Sequence, residues 1–201
     1  MSTYHKWRCV FVQVPKNASS TIHKVLSNQT DDSHDHNTYL EILANHDPEL
    51  IESYYSFAVI RNPYDRFVSA YEWVKQNSSW PLSFEETVDE WSRRGPFFYT
   101  TEDVAWWPQH RYLCIKGILL IDDLIRFETL HQDWQNIVNK IAQNLPNTYS
   151  EPSLILPHEN KTHIREDRDW KQYYNEDLAQ KVHKLYKKDF EIFKYDPNDF
   201  S

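Results

Sequence analysis

The sequence is poor in glycine, with two in 201 residues, and it holds only two cysteines. Ordinary ATP- and GTP-binding proteins need a Gly-x-x-x-x-Gly-Lys-Ser/Thr loop, and the candidate phosphate loop of this chain has no glycine, which argues against such a site. Cys9 and Cys114 lie far apart in the chain, which indicates reduced thiols rather than a disulfide scaffold. We therefore expect buried, inert cysteines in a cytoplasmic protein.

The chain also lacks a long apolar run and an excess of positive charge. No stretch approaches the roughly 20 apolar residues of a membrane span, and residues 1–9 are too polar for a secretory signal. The formal net charge of −8 argues against a nucleic-acid binder. Because no apolar run could span a membrane, we expect a soluble protein. No Pro/Gly/Ser-rich linker interrupts the chain, so we expect one domain over residues 1–201.

A first strand, turn and helix are predicted near the N-terminus. Residues 10–14 are mostly β-branched or aromatic, and Pro15 cannot continue a central strand, so the chain turns there and restarts as a helix near Ser19. The first N–H groups of a helix have no partner within it and its dipole is positive there, which favours an anion, and Lys16 adds a charge. The candidate phosphate-binding residues are Pro15, Lys16, Asn17, Ala18, Ser19, Ser20 and Thr21.

A second apolar run, residues 57–60, ends at a basic residue and enters a helix. Asn62 is a favoured N-cap, Pro63 suits the first helical position and Asp65 complements the dipole. Arg61 lies where an anion would bind. A helical apolar stripe follows and is expected to pack on the sheet, with Arg66 and Ser69 on another face. The stripe consists of Phe67, Ala70, Tyr71 and Val74.

These two motifs resemble the nucleotide-binding loops of sulfotransferases that use 3′-phosphoadenosine 5′-phosphosulfate (PAPS), of the carbohydrate type. The first resembles their 5′-phosphosulfate loop. The second resembles their 3′-phosphate loop, in which an arginine at the strand end and a serine on the helix bind the phosphate, and this assigns those roles to Arg61 and Ser69. Residues 124–130 and 187–195 resemble the later strand and the closing Asp-x-x-x-Phe-x-Tyr segment of the family.

The resemblance implies a three-layer α/β fold, the P-loop NTPase-like sulfotransferase fold, with a mostly parallel sheet flanked by helices. It also implies transfer of a sulfuryl group from PAPS to an acceptor hydroxyl on a carbohydrate, with release of 3′,5′-ADP and no metal. Lys16 would stabilise charge on the leaving phosphate. Many eukaryotic relatives carry an N-terminal membrane anchor, and its absence here favours a bacterial or viral setting.

Two histidines lie in an acidic stretch, residues 30–37, that is predicted to be a loop. They could belong to a solvated surface, to a His/Asp metal site or to catalysis. Family members place a histidine shortly before a helix in this interval, and this resemblance favours His36 as the general base. His34 is then a candidate acceptor contact, while His34 itself, His46 and a nearby carboxylate stay open as alternative bases.

Further candidates lie in the middle and C-terminal regions. Trp107-Pro108-Gln109 resembles a Pro-Gln element of the family, so Trp107 and Gln109 are candidate acceptor contacts. The middle aromatic residues could form core, lid or acceptor wall. Lys161 and Thr162, in a polar stretch over residues 146–170, fall where related proteins cover the nucleotide, although solvation explains them equally well.

Four more helices are predicted from caps and periodicity. The first covers residues 38–53, and the second begins at the capping box Ser83-x-x-Glu86. Thr129-x-x-Gln132 is expected to cap a third, with a buried stripe of Trp134, Ile137, Val138 and Ile141. The last begins at Asn175, with a buried side of Leu178, Val182, Leu185 and Ile192.

Two other functions remain open at this point. The run before Asp122 and Asp123 is superficially like the strand that ends in a magnesium-binding aspartate of a nucleotide kinase or NTPase, but no matching glycine loop exists. A non-catalytic nucleotide-binding protein of the same fold is the other alternative. Magnesium dependence separates the first from a sulfotransferase, since phosphoryl transfer from ATP uses Mg²⁺, and product formation separates the second.

Overall fold

The computed structural model describes residues 2–28, 35–95, 101–146, 154–157 and 169–200. Strands lie at Thr3–Tyr4 (β1), Cys9–Val12 (β2), Tyr55–Ile60 (β3), Cys114–Ile115 (β4), Ile118–Leu119 (β5) and Asp123–Arg126 (β6). Within the described residues, β1, β2, β3 and β6 form one sheet in that order. β1 and β2 are antiparallel, whereas β2 with β3 and β3 with β6 are parallel. The predicted α/β fold, with a mostly parallel sheet flanked by helices, is confirmed.

The α-helices are Ser19–Ser27 (α1), Tyr39–Ala44 (α2), Pro48–Glu52 (α3), Pro63–Asn77 (α4), Phe84–Arg94 (α5), His110–Leu113 (α6), Leu130–Asn144 (α7) and Glu176–Phe193 (α8). Short 3₁₀ helices cover His5–Trp7, Thr101–Trp106, Phe127–Thr129 and Trp170–Tyr173. The chain divides into two compact units, Met1–Ile60 with Arg111–Asn160 and Arg61–His110 with Lys161–Ser201. The four-stranded sheet belongs to the first unit, and a single domain over residues 1–201 stays a prediction.

The first unit is organised around one face of the sheet. Side chains of β2 and β3 such as Phe11 and Phe57 stack at 5.1 Å between ring centroids. The stripe predicted on α7 packs against them and all four of its residues are buried, as expected. Cys9 is part of this core, and its burial raises the pKa of its thiol, which agrees with an inert cysteine. Cys114 is half-buried.

The start of α7 differs from the prediction. Thr129 precedes the helix but makes no capping hydrogen bond with its side chain, and its hydroxyl instead donates to Asp133 at 2.5 Å. The 3₁₀ turn Phe127–Thr129 leads directly into α7, so that Thr129 is at backbone angles unsuited to a capping side chain. Sequence spacing alone identified the helix but not its cap.

Asp122, the residue before β6, is hydrogen-bonded to Ser56 of β3 in the first unit. Its Oδ2 accepts from the backbone N–H of Ser56 at 2.8 Å and from the Ser56 hydroxyl at 2.7 Å. The N–H of Asp122 donates in return to the Ser56 hydroxyl oxygen at 3.0 Å. Ser56 is only 2% exposed. The aspartate that looked like a magnesium ligand in the sequence therefore satisfies buried groups of β3.

Replacing Asp122 with alanine should lower the free energy of unfolding by about 1–3 kcal/mol, because the N–H of Ser56 would be left buried without its acceptor. Asp123→Ala is the matched control. It removes a partly exposed ion pair with Lys140, worth about 0–1 kcal/mol. Urea denaturation of both variants measures the difference, and equal losses would contradict the role given to Asp122.

The predicted helix over residues 38–53 is two helices, α2 and α3. Pro48 lacks an N–H and cannot lie inside a helix without breaking it, so the chain ends α2 at Ala44 and restarts with Pro48 as the first residue of α3. Both starts are capped, by the hydroxyl of Thr38 and by the carboxylate of Asp47.

The second unit packs α4, α5 and α8 through aromatic side chains. Phe67 on α4 contacts Phe84, Trp106 and Tyr186, with ring centroids 5.7, 4.9 and 6.2 Å away. The capping box predicted at the start of α5 is present, with reciprocal hydrogen bonds between residues 83 and 86. These bonds from Ser83, chiefly its backbone N–H, hold the pKa of Glu86 below its usual range.

Arg66 was predicted to lie on a face of α4 other than that of the apolar stripe, and the structure shows that this face is covered as well. The residue is 1% exposed, and its guanidinium donates to the carbonyls of Ala105 and Trp107 at 3.0 and 2.7 Å. Helical periodicity separates faces but cannot tell that a second segment covers the polar one. Arg66 thereby secures the segment that carries Trp107.

The last helix, α8, begins at Asn175 as predicted, and the side chain of Asn175 accepts from the N–H of Leu178. Leu178 and Val182 are buried, whereas Leu185 and Ile192 are half-buried. A kink at Tyr186 (φ −111°, ψ 22°) changes which residues face inward after it. The C-terminal half accordingly buries Tyr186, Asp189, Phe190 and Phe193.

Candidate active site

The loop after β2 leaves the sheet earlier than predicted. β2 ends at Val12 rather than Val14, because the N–H of Val14 turns back to the carbonyl of Val12 at 3.0 Å. Lys16 and Ala18 then have φ values of 68° and 60°, in the left-handed region that non-glycine residues seldom adopt. Each such residue costs about 1–3 kcal/mol and is retained where the surroundings fix it, typically at functional sites.

The helix that follows this loop begins differently from most other helices of the chain. In α2, α3, α4, α5 and α8 a side chain accepts a hydrogen bond from a first-turn N–H group. α1 begins at Ser19 and is preceded at the N-cap position by Ala18, which makes no side-chain capping bond, and the first turn of α1 holds no acidic residue. A helix start with this composition, preceded by Lys16, favours an external anion over an internal cap.

Two of the predicted phosphate-binding residues use their side chains inside the protein. The hydroxyl of Ser19 donates to the carbonyl of Val14 at 2.7 Å. The amide of Asn17 donates to the carbonyl of Val59 on β3, also at 2.7 Å, and Asn17 is 1% exposed. These bonds fix the loop to its own strand and to the neighbouring one. The hydroxyl proton of Ser19 is therefore used within the loop, and the phosphate-binding role of Asn17 and Ser19 stays a prediction.

The remaining loop residues differ in exposure. Pro15 is buried, while Lys16, Ala18, Ser20 and Thr21 are half-buried at the surface of the first unit. Under the loop, the Tyr4 hydroxyl contacts Nδ1 of His23 at 2.8 Å and accepts from the Gln13 amide at 3.3 Å. Burial raises the pKa of Tyr4, which keeps this hydroxyl neutral. Sequence reasoning missed this buried polar support.

His36 lies beside the same loop. Its Nδ1 is 2.8 Å from the backbone carbonyl of Gln13, the residue after β2, and the side chain is half-buried. A carbonyl oxygen can only accept, so Nδ1 carries the proton in this bond and the neutral ring has its lone pair on Nε2. His46 differs, because its Nδ1 bonds the carbonyl of Ile42 in α2, the helix that ends before it. His34 lies outside the described residues.

Arg61 follows β3 directly, in the second unit. Its Nε donates to Asp65 at 2.6 Å, and both side chains are 8% exposed. The Nε group is one of five N–H donors on a guanidinium. Asn62 caps α4 as predicted, with its Oδ1 accepting from the N–H of Tyr64 at 2.9 Å. Ser69 is half-buried on α4, one helical turn beyond Asp65.

The candidate acceptor residues in the second unit have different environments. Trp107 is half-buried, and its carbonyl accepts from Arg66. Gln109 is fully buried, and its side-chain amide bonds the backbone of Arg61 on both sides. Gln109 therefore supports Arg61, and its role as an acceptor contact stays a prediction. Lys161 and Thr162 lie outside the described residues.

Other middle aromatic residues divide between core and surface. Trp91 and Trp106 are each 3% exposed and contact each other, with ring centroids 5.2 Å apart, so they belong to the core of the second unit. Trp73 on α4 is 42% exposed. Phe97, Phe98 and Tyr99 lie outside the described residues. Trp73 is thus more exposed than Trp91 and Trp106, and a stacking role for it or for the half-buried Trp80 and Trp107 stays a prediction.

Taken by class, this is an α/β protein with strand-to-helix loops after two adjacent parallel strands, and such loops bind anionic ligands in folds of this kind. A model of the sulfotransferase family matches residues 3–196. The chain belongs to the sulfotransferase family and is a transferase of sulfuryl groups. No individual curated protein and no solved structure gives a significant match. In the described residues no helix is both long and apolar enough to cross a membrane.

Proposed function

We propose that this protein transfers a sulfuryl group from PAPS to a hydroxyl group of a carbohydrate and releases 3′,5′-ADP. The observation that carries the proposal is the loop from Pro15 to Thr21, with two left-handed residues, a lysine and a helix start without a capping side chain. This arrangement suits the 5′ end of the donor, which supplies an activated sulfuryl group on a phosphate leaving group.

The residues of the chain divide the work between binding and proton transfer. Lys16 and the backbone N–H groups that follow it bind the 5′ end, and the positive charge of Lys16 stabilises the leaving phosphate as the S–O bond breaks. Nε2 of His36 accepts the proton of the acceptor hydroxyl while the hydroxyl oxygen forms the new bond to sulfur. The Gln13 carbonyl supports this role, since it holds the proton on Nδ1.

The proposal also names a carbohydrate as the acceptor. The resemblance to carbohydrate-type enzymes suggests it, and the partly exposed rings of Trp73 and Trp107 are compatible with stacking on a sugar face. The test is transfer of label from ³⁵S-labelled PAPS to a panel of saccharides, phenols and tyrosine peptides, in the presence of EDTA. Labelled saccharide is the expected product. Turnover of ATP with Mg²⁺ and none of PAPS would contradict the proposal.

The donor predicts a preference among product nucleotides. Wild-type protein should bind 3′,5′-ADP more tightly than 5′-AMP, and Arg61→Ala should remove most of the difference, because a charge-assisted hydrogen bond to the 3′-phosphate is worth about 1.5–3 kcal/mol. Isothermal titration calorimetry at fixed ionic strength measures both affinities.

Arg94→Ala is the matched control for this experiment. It removes the same charge from α5 in the same unit, where the side chain is 43% exposed and paired with Glu90. Its preference for 3′,5′-ADP should equal that of wild type. Equal wild-type affinity for the two nucleotides would rule out the assignment of Arg61 and Ser69 to a 3′-phosphate.

A further inference from the structure

A buried carboxylate in the second unit collects three hydrogen bonds from one short segment. Asp189 on α8 is 0% exposed. Its Oδ2 accepts from the backbone N–H of Gln109 at 2.7 Å, and its Oδ1 accepts from the N–H of His110 at 2.9 Å. The ring of His110 adds a third contact, from Nδ1 to Oδ1 at 2.6 Å. Asp189 thus holds the backbone of residues 109 and 110.

The side chain of Gln109 passes this constraint to Arg61. The N–H of Arg61 donates to Oε1 of Gln109 at 2.9 Å, and Nε2 of Gln109 donates to the carbonyl of Arg61 at 2.8 Å. Arg61 comes just after the last residue of β3, where the regular pairing of the strand ends. The amide of Gln109 therefore gives both backbone groups of Arg61 the partners that a buried peptide needs.

Arg61 is fixed at two levels by these contacts. Gln109 holds the peptide that carries the side chain, and Asp65 holds Nε of the guanidinium. Burying a carboxylate is unfavourable unless it is fully hydrogen-bonded, so the desolvation of Asp189 opposes the stabilisation that its hydrogen bonds give to a short segment. A buried carboxylate at this position is explained if the segment that it holds determines the orientation of the Arg61 side chain.

We propose that Gln109 and Asp189 are positioning residues for 3′-phosphate recognition, acting through Arg61. This inference rests on the proposed function, since it requires Arg61 to bind that phosphate. A residue of purely structural importance would lower stability and weaken all nucleotides alike. A positioning residue instead lowers the affinity ratio between 3′,5′-ADP and 5′-AMP, since these two ligands differ only in the group that Arg61 would contact.

The test is this ratio in Gln109→Met and Asp189→Asn, measured by calorimetry. Methionine has a similar length and suits a buried site but makes neither bond to Arg61. Gln109→Met should lower the affinity for 3′,5′-ADP about tenfold and that for 5′-AMP less than about twofold, since misplacing a charged donor weakens only the bond it makes. Asp189→Asn should lower the ratio in the same direction, and it serves if Gln109→Met fails to fold.

Val182→Ala is the control on the same helix. Val182 is 0% exposed, so its truncation destabilises α8 without touching the network, and the ratio should stay at the wild-type value. The inference is overturned if both test variants keep the wild-type ratio, or if Val182→Ala lowers it equally. These results differ from a wild-type protein without any preference, which would overturn the proposed function as well.

Discussion

Replacement of Lys16 by alanine should lower the single-turnover rate of sulfuryl transfer by about 10²–10³-fold, a loss typical of removing one group that stabilises developing charge. The affinity for 3′,5′-ADP should fall much less. The charge beside the leaving oxygen gains most as the S–O bond breaks, so its contribution belongs mainly to the transition state. Rapid-quench measurement with labelled PAPS gives the rate, and calorimetry gives the affinity.

The backbone at this position makes alanine an informative substitution. Lys16 has a φ of 68°, and alanine is under the same steric restriction as lysine there, so the variant changes the charge and leaves the backbone preference comparable. Lys24→Ala removes the same charge from an exposed position on α1 and should leave the rate near that of wild type. Reduced affinity with an unchanged single-turnover rate would reassign Lys16 to ground-state binding.

The elements with local signals were predictable from the sequence. Asn62 followed by Pro63 and the pair Ser83 and Glu86 define helix starts through contacts three or fewer residues apart, and both are found as expected. The transition from β2 through Pro15 into α1 was likewise predictable, since a strand pattern, a proline and a helix pattern follow one another. Only the end of β2 moved, because backbone turns such as that at Val14 have no distinctive side chain.

The residues that depend on distant partners could not be assigned. Gln109 and Asp189 are 80 positions apart, and neither residue type carries a sequence signal that predicts a partner at that distance. Resemblance identified both segments in the sequence, but it could not show that Asp189 bonds the backbone of Gln109 or that Gln109 bonds Arg61. The burial of Arg66 could not be predicted for a related reason: a buried arginine is recognisable only when the carbonyls that accept its hydrogen bonds are known.

His36 is an intermediate case. The resemblance predicted a base among residues 34–46, because family members place a histidine shortly before a helix in this interval. The resemblance favoured His36 over His34 and His46, but it could not show what orients the ring, since that partner is a backbone carbonyl and every residue has one. The contact with Gln13 separates His36 from His46 and places it next to the end of β2. The catalytic role itself stays a prediction.

His36→Ala should bind 3′,5′-ADP like the wild type but lose about 10²–10⁴-fold in turnover, the usual contribution of a general base. His36→Asn sharpens the test. An asparagine amide can donate to the Gln13 carbonyl as Nδ1 does, but it has no basic nitrogen, so it separates support of the loop from proton transfer. We expect His36→Asn to be as slow as His36→Ala although its stability is closer to that of wild type.

Two other histidine variants complete the comparison, with turnover measured at saturating PAPS and nucleotide affinity measured separately to exclude misfolding. His46→Ala should be mild, because its ring nitrogen bonds the carbonyl of Ile42 in the preceding helix α2. His34→Ala should also be mild unless the two histidines act together on the acceptor. If the His36 variants stay near the wild-type rate while His34→Ala, His46→Ala or a carboxylate variant loses turnover, the base is another residue, although the chain still belongs to the sulfotransferase family.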